Sequence, residues 1–343
     1  MTTTQATMRA SVLLAKKQLT IEERPIPVPD ADQVLIKVGA VGVCGSDVHY
    51  YRDGRIGDFI VKAPLVLGHE LSGTIAGVGA DVSPARIGER VAVEPQRACG
   101  QCRECRAGAY NLCPKMEFYA TPPIDGAFCG YVVIQDHFAY RIPDNVSLEA
   151  AALCEPLSVA ITTMRKARVA PGSTILIAGA GPIGTICAQT ARAFGAAEII
   201  VTDLVAEKRE RVLGFGATRV IDPVAQDITG LHLDVSAFVD ATGSPQAVYS
   251  GIKCVRPGGT AVLVGAGNTD LVLPVEHIQN TEVSVTGIFR YTDTWPAAIH
   301  LVASGQVDLD SLVTVKFDLD HVEEALNADL DPANLKAIVY PNA

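Results

Sequence analysis

Thr174-Ile-Leu-Ile-Ala-Gly179-Ala-Gly181-Pro-Ile-Gly184 is an apolar run of strand character that ends in three spaced glycines and leads into the helix-compatible residues 183–194. Strand, glycine turn and helix in that order make a cradle for a dinucleotide pyrophosphate. Gly179 permits the tight turn, Gly181 lets the backbone approach a phosphate, and Gly184 allows the helix to pack closely on the strand. Asp203, nineteen residues past Gly184, closes a second apolar run at residues 199–202. Its carboxylate can accept hydrogen bonds from a ribose 2′-hydroxyl and would repel a 2′-phosphate, so NAD is expected over NADP. Lys208 is a nearby cation that could serve a phosphate. Ile183, Gly265, Gly267 and Phe289 complete the expected cofactor-binding set.

Outward from this stretch, short apolar runs at residues 174–178, 198–202, 237–240 and 260–264 have helix-compatible stretches of ten or more residues between the first three. Buried strands alternating with helices predict a parallel, doubly wound sheet. The preceding chain has another texture. Over residues 11–92, β-branched runs at 34–41 and 74–78 are broken by Pro25, Pro27, Pro29, Gly42 and Gly68, which predicts a mostly β region. After Ile288, a helix-like stretch at 294–304 leads to short strands at 313–317 and 336–340, a tail able to close onto the first domain. At 343 residues, two domains are expected.

Composition narrows the class. With 48% hydrophobic and 19% charged residues, the chain has enough apolar material for packed cores. A net charge of −10 (28 basic against 38 acidic residues) and the lack of any basic run of five argue against a nucleic-acid partner. The longest uncharged stretch, residues 169–191, is interrupted by Pro171, Gly172, Gly179, Gly181, Pro182 and Gly184, so it predicts strand, turn and helix in place of a membrane span. Residues 1–10 lack the apolar core of a signal peptide, and a cytoplasmic location is expected.

Nine cysteines are present, four of them crowded as Cys99-x2-Cys102-x2-Cys105-x7-Cys113. Four soft ligands within fifteen residues suffice for tetrahedral zinc, with no open position, so a structural site is expected. The rival is an iron–sulfur cluster, since the first spacings and Pro114 match a ferredoxin run, but the last gap is seven residues where that run has three. A second set is dispersed: Cys44 in Val-Cys-Gly-Ser-Asp-Val-His-Tyr, His69-Glu70 in Leu-Gly-His-Glu-Leu, and Glu155 in Cys-Glu-Pro-Leu-Ser. Mixed Cys, His and carboxylate ligands suit a catalytic zinc, which commonly keeps three protein ligands and one open position.

In this order and spacing, Cys-Gly-Ser-Asp-Val-His, Gly-His-Glu, the four-cysteine lobe and the dinucleotide fingerprint resemble the zinc-dependent medium-chain dehydrogenases over nearly the whole chain. Residues 44–51, 118–123, Glu155-Pro-Leu-Ser158 and Phe289-Arg-Tyr291 with Thr294-Trp-Pro296 are similar to the sorbitol and xylitol dehydrogenase branch. The resemblance implies an α/β two-domain fold: a chaperonin-10-like β-barrel catalytic domain at 1–156 with a structural-zinc lobe at 95–114, a Rossmann domain at 157–288, and a return to the catalytic domain at 289–343. It implies two zinc ions per chain, NAD, a small-molecule polyol or ketose substrate, and a homo-oligomer, dimer or tetramer.

On this reading a catalytic zinc is held by Cys44, His69 and a carboxylate from Glu70 or Glu155, and acts as a Lewis acid on a secondary hydroxyl. Alcohol dehydrogenases place a Cys near the position of Glu155, and Cys154 is adjacent; the Glu-Pro-Leu-Ser string selects Glu155. Ser46 and His49, three apart on a short helix-like turn, can relay the proton through ribose hydroxyls. Tyr50, Phe118, Glu155, Arg290 and Tyr291 are the substrate-binding candidates. The rivals are a diol or L-threonine dehydrogenase of the same superfamily and, from another class, a non-catalytic NAD-binding or structural protein.

Overall fold

The computed structural model describes residues 6–265 and 270–343, so Gly267, expected at the cofactor, lies outside the described residues. The chain divides into two compact units. One comprises the segment through Glu155 with Trp295–Ala303 and Leu309–Ala343; the other comprises Pro156–Thr294 and Ser304–Asp308. The sequence reading sets the return to the first domain at residue 289, whereas here the second unit continues to Thr294.

In the first unit the strand Gln33–Gly42 is the hub. Val34, Ile36, Val38 and Ala40 point inward while Lys37 is exposed, the period of two that a half-buried strand requires. It pairs antiparallel with Glu70–Val78, Tyr131–Gln135 and Lys336–Tyr340. Its inward side chains join a core with Val12, Leu71, Ile75, Val91, Phe128 and Ile134. Register decides what meets at the end of the hub. Gly42 lies opposite Glu70 on one side and Ile338 on the other, so Cys44, two residues on, emerges beside both neighbouring strands. The tail strand Lys336–Tyr340 thus joins the sheet of the first unit.

The second unit holds a six-stranded parallel sheet in the order Arg219–Ile221, Glu198–Thr202, Thr174–Ala178, Val235–Asp240, Val255–Leu263, Ser284–Gly287. Numbered along the unit this is 3-2-1-4-5-6, the dinucleotide-binding arrangement, with its crevice where the order reverses beyond Ala178 and Asp240. Ile175, Leu176 and Ile177 are all fully buried, as a strand covered on both faces must be. The two edge strands, three and four residues long, are absent from the sequence reading because so few residues carry no periodic signal. Between the second and third expected strands, the helix Ala206–Leu213 has eight residues and not ten or more, since the edge strand Arg219–Ile221 takes up the remaining chain. Among the described residues, no helix is long and apolar enough to cross a membrane.

Candidate metal centre and cofactor site

Cys44 is the N-cap residue of the helix Gly45–Asp53, and His69 and Glu70 stand at the start of the neighbouring strand. Ligand atoms of Cys44, His69 and Glu70 lie within 4.8 Å of one another. A thiol, an imidazole and a carboxylate at that span form a donor set that zinc accepts, with room for a fourth ligand. Asp47, fully buried, braces this set. Its Oδ2 accepts the Cys44 N–H at 3.0 Å, its Oδ1 accepts the Gly68 N–H at 2.9 Å, and the same Oδ1 lies 3.6 Å from His69 Nδ1. Burial opposes a charge on His69, yet Asp47 and Cys44 together raise its pKa well above the usual imidazole range. The pocket is therefore arranged to hold positive charge, which is what a divalent cation brings.

On the other side of Glu70 sits Lys336, from the tail strand. Its ammonium donates to Glu70 Oε1 at 2.6 Å and to the Val43 carbonyl at 2.7 Å, with both groups buried. Burial works against that charge, but Glu70, then Cys44 and Glu155, raise the Lys336 pKa above its ordinary value. Glu155 opens the helix Cys154–Lys166 and is buried, although the three-residue ligand group does not include it. The adjacent Cys154 thiol is fully buried, and burial pushes it up to about 12. The Phe118 ring stands 5.5 Å from the His69 ring, tilted by 54°.

Ser46 and His49 lie on the helix that Cys44 caps, both half-buried, with His49 Nδ1 3.2 Å from Asp53 Oδ2. Tyr50, one residue on, is buried in the core of the first unit. The helix is fastened at its far end. Arg52 bonds Asp329 and Asn327 Oδ1, the latter at 3.2 Å, and Tyr51 bonds Glu323. Arg290 and Tyr291 belong to the second unit. Tyr291 is fully buried, while Arg290 takes a φ of +58° and lays its guanidinium over the Phe289 ring, 4.7 Å from the centroid.

The four cysteines of the lobe also bring their sulfurs within 4.8 Å of one another, and Cys99 Sγ lies 4.0 Å from Cys105 Sγ. Tetrahedral zinc with bonds of about 2.3 Å sets its sulfurs about 3.8 Å apart, so the spacing fits that ion. The backbone amides of Cys99 and Cys105 donate to the sulfurs of Cys113 and Cys102, each at 3.4 Å. Backbone donation from Gln101 and Cys102 lowers the Cys99 thiol to about 6, whereas, against backbone donation from Cys105, burial and the neighbouring sulfurs raise Cys102 to about 12, and Cys105 is raised as well.

In the second unit, Gly179 has a φ of +96° and Gly184 backs onto it so tightly that a Cβ there would fall 1.8 Å from the Gly179 carbonyl oxygen. Nothing lies within 4 Å of where a Cβ of Gly181 would be, which leaves that backbone open to a ligand. Asp203 Oδ2 accepts the Ala180 N–H at 2.8 Å and Oδ1 the Val205 N–H at 2.9 Å. A pocket of about 610 Å³, lined in part by Gly179, Asp203, Val224, Ile228, Thr242 and Ala247, opens beside this turn. An apolar slot with a carboxylate at its mouth suits an adenosine. Ile183 stands in the first turn of the fingerprint helix, and Lys208, half-buried in the helix Ala206–Leu213, is not among the lining residues. Gly265 packs its backbone against Thr242 and Gly243, where a Cβ would clash at 2.1 Å.

Two residues of the metal centre were not singled out from sequence. Asp47 had a local signal, since an acidic residue three past a cap returns to bond the cap backbone. Lys336 had none.

A dinucleotide-binding sheet in a chain that also carries a Cys–His–carboxylate cluster and a four-cysteine lobe defines a zinc-containing dehydrogenase. Residues 30–144 match the alcohol dehydrogenase GroES-like domain, and residues 182–304 match the zinc-binding dehydrogenase domain. The chain is 44% identical to sorbitol dehydrogenase of Bacillus subtilis over 344 residues, 98% of each protein, and 39% identical to D-xylulose reductase A of Aspergillus oryzae, over 96% of this chain and 95% of that one. The solved L-idonate 5-dehydrogenase of Escherichia coli superposes with a TM-score of 0.93 at 28% identity, over 98% of this chain and 99% of that one. The protein belongs to the zinc-dependent alcohol dehydrogenase family, and it is a dehydrogenase built from those two domains.

Proposed function

We propose that the protein reversibly oxidises a secondary hydroxyl of a polyol to the ketose, with NAD as hydride acceptor and zinc at the Cys44–His69–Glu70 cluster. The observation that carries this reading is that cluster in a chain 44% identical, end to end, to a sorbitol dehydrogenase. Zinc bound there would supply Lewis-acid polarisation of the hydroxyl. The remaining work falls to side chains. Asp47 keeps the His69 ring and the Cys44 and Gly68 backbones in place. His49, half-exposed, holds its Nδ1 on Asp53, which leaves Nε2 to pass a proton from Ser46 to solvent. Glu155 is a second carboxylate toward the metal environment. Each further substrate hydroxyl buried without a partner would cost about 1–3 kcal/mol, and Tyr50, Arg290 and Tyr291 are the groups proposed to meet that need, with Phe118 as an apolar wall. Gly179, Gly181, Ile183, Gly184, Asp203, Gly265 and Phe289 hold the dinucleotide, and the four-cysteine lobe holds a structural zinc. A cytoplasmic dimer or tetramer completes the proposal.

Initial rates with NAD across sorbitol, xylitol, L-arabinitol, galactitol, 2,3-butanediol and threonine test it. The expected result is highest kcat/KM on a five- or six-carbon polyol. A preference for butanediol or threonine would assign the chain to another branch of the family.

A further inference from the structure

Lys336 and Glu70 are 266 residues apart in sequence, yet their charged groups meet at 2.6 Å inside the protein, each side chain no more than 4% exposed. The ammonium donates to Oε1. Its Nζ is equally close, 2.6 Å, to Glu70 Oε2, a buried oxygen that lies outside hydrogen-bond geometry but within ion-pair distance. This oxygen lies over Gly42, where a Cβ would stand 2.1 Å from it, so the carboxylate occupies room that only a glycine leaves. Both oxygens thus face one buried ammonium, in a residue whose ligand atom lies within 4.8 Å of those of Cys44 and His69. The tail strand grips the same spot twice more. The Val43 N–H donates to the Ala337 carbonyl at 3.0 Å, and Lys336 donates to the Val43 carbonyl at 2.7 Å, immediately before Cys44.

We infer that Lys336 is a positioning residue for the metal centre: its ammonium straddles the Glu70 carboxylate, so that the carboxylate is offered to the metal as a weakened ligand. The inference rests on the proposed zinc site at Cys44, His69 and Glu70. A fixed cation at hydrogen-bond distance withdraws charge from Glu70, and a divalent ion must share the carboxylate with it. Removing that cation has two opposed consequences. Glu70 becomes a stronger donor, which tightens metal binding, and it loses an anchor, which loosens it. The charge effect should dominate, because Glu70 remains walled in by Gly42 and the strand around it whether or not the lysine is present. A weaker carboxylate donor leaves more of the ion's charge for the substrate hydroxyl, which is the use of such an arrangement in a dehydrogenase.

Zinc content per chain and the rate of zinc loss to dipicolinate would be measured in the parent, Lys336→Met, Lys336→Gln and Lys336→Arg, and again with Lys336→Met placed in Glu70→Gln. In the parent, two zinc ions with one released faster are expected. In Lys336→Met the faster ion should leave about 10- to 100-fold more slowly, the range that groups behind metal ligands command. Lys336→Gln, which keeps a donor and drops the charge, should act in the same direction and serves if the methionine variant does not fold. Lys336→Arg should restore the parent rate to within a few-fold. In Glu70→Gln the lysine substitution should change nothing, because the charge it balances is gone. Faster or unchanged zinc loss in both uncharged variants, or an undiminished effect in Glu70→Gln, would overturn the role given to Lys336. A parent holding one zinc, in the four-cysteine lobe only, would instead overturn the metal-centre reading itself.

Discussion

The carboxylate of Asp47 and the imidazole of His69 lie side by side, Oδ1 3.6 Å from Nδ1, with the Asp47 side chain fully buried. At that distance the contact is electrostatic and not a full hydrogen bond. Asp47 spends its bonds on the backbone amides of Cys44 and Gly68, the residues that carry and precede the proposed ligands. It therefore fixes the spacing of Cys44 from His69 as well as the field around the ring. Asp47→Asn keeps the shape, removes the charge, and turns one backbone acceptor into a donor. Zinc content should fall from two per chain toward one, with affinity at the centre reduced about 10- to 100-fold. Retention of two tightly held zinc ions would contradict this.

The two metal sites should come apart under mutation. Cys44→Ser should lose the catalytic ion and its activity while the thermal transition changes little. Cys105→Ser should lose the lobe's ion, since the four sulfurs form a closed set around one position. Elemental analysis of the two variants should give about one zinc each. Iron, with a visible charge-transfer band, would point to a cluster in the lobe instead.

Asp203 has a double part, because it lines the pocket beside the glycine turn, proposed to take the adenosine, and also accepts the amides of Ala180 and Val205. Asp203→Ala should raise KM for NAD and narrow the discrimination against NADP, since repulsion of the 2′-phosphate disappears. It should also loosen the glycine turn, so kcat/KM with NADP should rise by less than kcat/KM with NAD falls. Comparable efficiency with both cofactors in the parent would refute the assignment.

Arg290 and Glu155 should fail differently. Glu155→Ala should impair oxidation of a polyol and of a simple secondary alcohol alike, because the metal environment serves both. Arg290→Ala should lower kcat/KM for a five- or six-carbon polyol sharply and for the simple alcohol much less, since the small substrate makes no use of a distal guanidinium. Equal losses on both substrates in Arg290→Ala would mark the residue as a support for Phe289 and the cofactor unit.

Glu149 accepts from both Lys316 and Tyr340 in the first unit, with the Lys316 ammonium at 2.9 Å and the Tyr340 hydroxyl at 2.6 Å. Burial raises the Glu149 pKa, but bonds from Tyr340 and Lys316 lower it further, so its folded value is depressed. A depressed carboxylate contributes stability above its unfolded pKa and loses it as pH falls through the folded one. Lys316→Met should therefore cost about 1 kcal/mol or less at pH 7, because the lysine is largely exposed, and less still once Glu149 is protonated. Thermal unfolding of both chains at pH 7 and pH 3 checks the sign.

Local motifs carried most of what could be read without the fold. The glycine fingerprint and its strand, the four-cysteine run, and the pairing of apolar runs with a carboxylate at Asp203 are each complete within about thirty residues, so their chemistry depends on spacing along the chain. Strand limits such as 174–178 and 336–340 were legible for the same reason, through a run of apolar residues between breakers. What lay beyond the sequence is what strand pairing decides. Gly42 opposite Glu70 is set by register between neighbouring strands, and Lys336 against Val43 by contact between segments 293 residues apart; a register one residue different would turn those side chains to the other face. No pattern near Lys336 distinguishes it from a surface lysine at a strand end. Only the closing of the tail onto the hub strand buries it, and once buried it needs an anion, which Glu70 supplies.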